Sequence, residues 1–88
     1  ELATERGEQR VANAVLKLAD RTGHRTDEGI LIYFPISRQD ISEMTGTTLH
    51  TVSRTLSAWE KQGIVKSGRK KITICDPHQL VILTSAPL

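Results

Sequence analysis

The sequence predicts a mainly α fold with a small β-hairpin, an α+β domain. Three observations carry this. Apolar residues recur at helical spacing in residues 11–19, 41–44 and 52–59, a glycine interrupts the chain between the last two stretches, and two short β-branched runs follow around Ser67-Gly68-Arg69-Lys70-Lys71. A chain of 88 residues, 38% of them hydrophobic, has room for one modest core, so the pieces are read as a single domain.

The elements follow in order. In residues 2–22, Val11, Ala14, Val15, Leu18 and Ala19 fall on one helical stripe, while Glu5, Glu8, Arg10, Lys17 and Asp20 lie mostly off it. Gly23 is the expected stop of this helix. Residues 22–29 are polar and bracketed by glycines, which reads as a loop. Ile30 to Phe34 is β-branched and aromatic, a short strand ended by Pro35. Ser37 then caps a helix whose Asp40 completes a short capping box, with Ile41 and Met44 turned inward. Gly46 breaks that helix within Thr45-Gly46-Thr47. Thr47 or Thr48 caps the next, which runs to Gly63 and buries Val52, Thr55, Leu56 and Trp59. Ile64-Val65-Lys66 and Ile72-Thr73-Ile74-Cys75 form the hairpin, with Cys75 as a small core residue. Asp76-Pro77 opens a last short helix, His78 to about Leu83.

Composition excludes several classes. No stretch reaches the roughly 18 apolar residues of a membrane span. The opening Glu1-Leu2-Ala3-Thr4-Glu5-Arg6 lacks a signal-peptide pattern and reads as the middle of a longer chain. The single cysteine leaves no internal disulfide or cysteine-based metal site, and a reducing, cytoplasmic setting is expected. His24, His50 and His78 have no carboxylate or cysteine at ligand spacing, so no metal and no cofactor is expected in this segment. His50, Ser53 and Asp40 lack the pocket and oxyanion donors of a catalytic triad, and the chain is read as a non-enzyme.

Charge separates the two halves. Residues 1–48 hold six Lys/Arg and eight Asp/Glu, a net of −2, whereas residues 49–75 hold six Lys/Arg and only Glu60, a net of +5. Such asymmetry fits one face meeting an anionic polymer, or a solvated charged face. Residues 37–62 narrow the choice. Two helices around a glycine turn match the helix-turn-helix pattern, and the hairpin that follows makes it a winged helix-turn-helix. On the second helix Leu49, His50, Ser53, Arg54 and Ser57 share the stripe opposite the core. That stripe has no acid, mostly short side chains and one arginine, whose planar fork matches guanine O6 and N7. A merely solvated helix would more often pair Glu with Lys. At the hairpin tip, Arg69 and Lys70 can reach phosphates beside the groove.

These residues resemble a known family. The run Ile36-Ser37-Arg38-Gln39-Asp40-Ile41, then Gly46-Thr47-Thr48-Leu49-His50-Thr51-Val52-Ser53-Arg54-Thr55-Leu56, Gln62-Gly63-Ile64-Val65 and Ile72-Thr73-Ile74 is similar to the C-terminal domain of Crp/Fnr-type bacterial transcription regulators. Arg10-Val11-Ala12 and Leu16-Lys17-Leu18-Ala19 resemble the family's lead-in helix. The resemblance implies a cytoplasmic homodimer in the full-length protein, double-stranded DNA as partner, and RNA polymerase as a further one. It implies that residues 1–22 lead in from a sensor and dimerisation region, and that 23–88 form the DNA-binding domain. Helix 48–62 would lie in the major groove with Leu49, His50, Ser53 and Arg54 at base edges. Ser37, Arg38, Gln39, Thr48 and Thr51, with Arg69 and Lys70 of the wing at 66–71, would meet phosphates. Ser53 and Arg54 match the family's Glu-x-x-Ser-Arg pattern, but His50 stands where its glutamate usually is. The run His50-Thr51-Val52-Ser53-Arg54 resembles a branch concerned with nitrogen-oxide or anaerobic control. The competing reading is a winged helix used as a protein-interaction module, which predicts an apolar or acidic outer face.

Overall fold

The computed structural model describes residues 2–32, 37–68 and 71–85. Helix α1 (Leu2–Thr22) leads into an antiparallel hairpin, β1 (Gly23–Thr26) and β2 (Gly29–Ile32). Helices α2 (Arg38–Thr45) and α3 (Leu49–Lys61) follow, then a second hairpin, β3 (Val65–Gly68) and β4 (Lys71–Ile74), and finally α4 (Pro77–Ser85). The strands form one antiparallel sheet in the order β1-β2-β4-β3. The fold is therefore mainly α, as the periodicities predict, but its sheet has four strands where a hairpin and one further short strand were expected.

The extra strand is β1, in the stretch read as a loop. His24, Arg25 and Thr26 are exposed and show no apolar alternation, because β1 is an edge strand held by backbone pairing to β2. Thr26 shapes the hairpin turn: its hydroxyl donates to the Gly29 carbonyl at 3.1 Å and accepts from the Glu28 N–H at 3.2 Å. Helix α1 stops at Thr22, just before Gly23 as expected, and Gly23 opens the strand without a positive φ. The expected strand Ile30 to Phe34 is described as far as Ile32; Tyr33 to Ile36 lie outside the described residues, as do Arg69 and Lys70.

One core joins every layer. Val11, Ala12 and Val15 of α1 pack with Ile32, Ile41, Val52, Leu56, Trp59, Ile72, Ile74 and Leu80. Each fully buried aliphatic side chain contributes about 1.5–3 kcal/mol relative to exposure. Helix α1 thus belongs to the same core as the helix-turn-helix. Two inward assignments are corrected. Met44 is 53% exposed, bordering an open groove of about 600 Å³ with Arg10, Asn13, Ala14, Lys17 and Thr45. Helix α2 has only eight residues, so Ile41 alone reaches the core from it. Cys75 is also exposed, because β4 ends at Ile74 and the chain there turns toward α4. Among the described residues, no helix is long and apolar enough to cross a membrane.

Candidate nucleic-acid interface

Helix α2 begins where the capping chemistry places it. The Asp40 N–H donates to Ser37 Oγ at 3.1 Å, and the Ser37 N–H donates to Asp40 Oδ2 at 2.9 Å. This reciprocal box satisfies two backbone donors that a helix start leaves without partners. At the other end Gly46 adopts a left-handed conformation, φ 72°, and its N–H donates to the Ser42 carbonyl at 3.0 Å. An L side chain resists that conformation, so the glycine lets the chain reverse within a few residues.

Hydroxyl groups that the sequence reading left out fix the turn. Ser42 Oγ donates to the Thr47 carbonyl at 2.6 Å, while Thr45 Oγ1 lies 2.8 Å from both the Ile41 carbonyl and Thr47 Oγ1. Their small side chains near a glycine were the available signal, since Ser and Thr bond locally to the backbone at helix ends. Thr48 is the cap of α3: its Oγ1 accepts from the Thr51 N–H at 3.1 Å and donates to Thr51 Oγ1 at 3.0 Å.

The two faces of α3 then separate cleanly. Val52, Thr55, Leu56 and Trp59 are buried, as their spacing predicts. Opposite them, Leu49, His50, Arg54 and Ser57 are exposed and Ser53 is half-buried. No acid lies in the first turn, and Lys61 lies in the last. The Arg54 guanidinium has no ion-pair partner among the described residues. A cationic fork on the open face of a helix whose start carries the positive dipole end suits an anionic partner.

The residues expected at phosphates occupy two helix starts. Ser37, Arg38 and Gln39 open α2; Thr48 and Thr51 open α3. Besides the Ser37–Asp40 and Thr48–Thr51 bonds within the caps, two longer side chains among them are paired: Arg38 Nη2 lies 3.8 Å from Glu60 Oε2, and Gln39 Nε2 donates to Glu43 Oε2 at 3.2 Å. Both pairs are exposed to solvent, so holding them contributes little and a phosphate could displace them. The wing residues described, Lys66 and Lys71, are exposed, and Lys66 Nζ sits 3.3 Å from Glu28 Oε2 across the sheet. Among the described residues no cluster of His, Cys, Asp or Glu could hold a metal.

Two helices set by a tight glycine turn, the second with a free outer face and a β-hairpin behind it, define a winged helix-turn-helix protein. The family model for the Crp-like helix-turn-helix domain matches residues 9–82, and the chain belongs to that family. It is 33% identical over 82 residues to Electron transport regulator A of Shewanella oneidensis, covering 93% of this chain and 33% of that protein. It is 37% identical over 65 residues to the nitrogen fixation regulation protein FixK of Azorhizobium caulinodans, covering 73% of this chain and 26% of that protein. This chain therefore spans a third or less of the length of these relatives. The CO-dependent transcription factor CooA of Carboxydothermus hydrogenoformans superposes with a TM-score of 0.83 at 28% identity, over 89% of this chain and 36% of that one. The catabolite activator protein of Thermus thermophilus does so with a TM-score of 0.76 at 30% identity, over 94% and 36%. The family and these relatives are transcription regulators of the Crp/Fnr type, not enzymes, and the domain is of their DNA-binding kind.

Proposed function

We propose that this chain is the DNA-reading output domain of a Crp/Fnr-type regulator, with α3 laid in the major groove of a duplex. Leu49, His50, Ser53 and Arg54 meet base edges, and Arg54 forks onto a guanine. Ser37, Arg38, Gln39, Thr48 and Thr51 meet phosphates from the two helix starts, and Arg69 and Lys70 of the wing meet phosphates beside the groove. Residues 1–22 carry the domain on from a sensor region, and the whole protein works as a cytoplasmic homodimer that meets RNA polymerase at its promoters.

The observation that supports this best is the face of α3 opposite the core. From Leu49 to Ser57 it carries no acid and mostly short side chains around Arg54, with Glu60 further along beside Arg38, whereas an interaction module would offer an apolar or acidic face there. His50 gives this chain its own preference. Imidazole can present a ring N–H donor where a glutamate only accepts, as from cytosine N4, so the base pair facing His50 is expected to differ from that of relatives carrying glutamate. Selection of bound sites from a pool of random duplexes tests the proposal. The expected outcome is an enriched short motif containing a guanine whose replacement weakens binding. Recovery of no motif, with equal retention of all duplexes, contradicts base reading by α3.

A further inference from the structure

Helix α1 meets α3 at both of that helix's ends. Near the start of α1, Gly7 is buried, and a methyl group on its Cα would come within 2.9 Å of Thr51 Cγ2 in the first turn of α3. One residue later, Glu8 Oε2 accepts a hydrogen bond from Trp59 Nε1, 3.0 Å away in the last turn of α3. Trp59 is fully buried, and indole N–H is a donor only, so it needs an acceptor at this depth. A carboxylate makes that bond charge-assisted and directional. A side chain in place of Gly7 would push Thr51 away, and loss of Glu8 would leave the indole N–H without its acceptor.

We propose that Glu8 is a positioning residue for sequence reading: through the Trp59 N–H it fixes the angle of α3 against α1, and Gly7 admits the contact at the other end. This rests on α3 reading DNA. Base-edge hydrogen bonds tolerate errors of only about 0.5 Å, whereas phosphate attraction tolerates more. A loosened α3 therefore loses discrimination before it loses attachment.

The chain has a single tryptophan, so its indole N–H resonance and its fluorescence come from Trp59 without overlap from a second indole. The test compares Glu8→Ala, Glu8→Gln, Trp59→Phe and the Glu8→Ala/Trp59→Phe pair in the 88-residue chain. Affinity is measured for the best selected duplex and for a random-sequence duplex of equal length. Glu8→Ala should shift the indole N–H resonance and lower the ratio of specific to random affinity about fivefold, the worth of one net hydrogen bond. Glu8→Gln keeps an acceptor and should restore the ratio to within about twofold of the parent. Trp59→Phe should match Glu8→Ala, and the double variant should lose no more than either single one. An unchanged ratio in Glu8→Ala overturns the proposal, and so does Glu8→Gln failing as badly as Glu8→Ala. Should Glu8→Ala unfold, the ratio in Glu8→Gln and Trp59→Phe decides in the same way. A parent chain that does not prefer its selected duplex removes the reading by α3 itself, a distinct failure.

Discussion

Arg54 is where the chain's chemistry is most concentrated. Its guanidinium stands on the open face of α3, within the first two turns, with no ion-pair partner among the described residues. Arg54→Ala is expected to cost about 1–3 kcal/mol on the best duplex and to relax preference at one base pair. Binding isotherms against single-base-pair variants of the selected site check this; equal weakening on every duplex would show that Arg54 meets only phosphate. Residues of this kind were legible because their stripe is defined by what the core takes. Once Val52, Thr55, Leu56 and Trp59 are assigned inward, helical geometry leaves Leu49, His50, Ser53, Arg54 and Ser57 outward. Met44 was not legible. Its spacing from Ile41 is right for a core residue, but α2 ends before a second inward turn is complete, and periodicity carries no information about where a neighbouring helix stops.

At the scale of elements, the turn between α2 and α3 sets the pose of the reading helix. A Cβ at Gly46 would meet nothing within 4 Å, so the whole penalty of Gly46→Ala lies in the backbone at φ 72°. Urea unfolding should show a loss of about 1–2 kcal/mol without a change in slope. A smaller loss would mean that the turn relaxes to a negative φ, and DNA affinity should then fall more than stability does. The wing makes a different kind of contribution. Replacing Arg69 and Lys70 by neutral residues should weaken binding to all duplexes alike and make the log–log salt dependence shallower by roughly 1 to 2 units. An unchanged slope would remove the wing from the phosphate contacts. Helix boundaries were readable from caps and glycines, as Ser37, Thr48 and Gly63 illustrate. The strand β1 was not, because an exposed edge strand is held by backbone bonds, and His24-Arg25-Thr26 carries no alternation to betray it. The exposed Arg25 there also discourages pairing with another sheet edge.

As a whole, the chain measures about 34 × 24 × 24 Å, and one such body can occupy one half-site. The apolar stripe of α1 is spent on the domain's own core, as Val11, Ala12 and Val15 show. The 88-residue chain is therefore expected to be mostly monomeric at micromolar concentration and to bind DNA weakly. A dimer would engage two half-sites about 34–36 Å apart and gain roughly 10²–10⁴-fold in effective affinity. Sedimentation with and without a palindromic duplex separates the cases. A tight dimer without DNA would point to the exposed Val81 and Ile82 of α4 as its seam. Dimerisation and effector were never legible in these 88 residues, which span a third or less of the relatives' length. The central claim, that the outer face of α3 is the surface that meets DNA, is tested most directly by titrating the isotope-labelled chain with its selected duplex and mapping amide shifts. Shifts concentrated at Ser37 to Gln39, Thr48 to Ser57 and the wing, with β1 and the end of α4 unmoved, are the predicted result. Shifts centred on Val81 and Ile82, or on the groove beside Met44, with α3 silent, would contradict it.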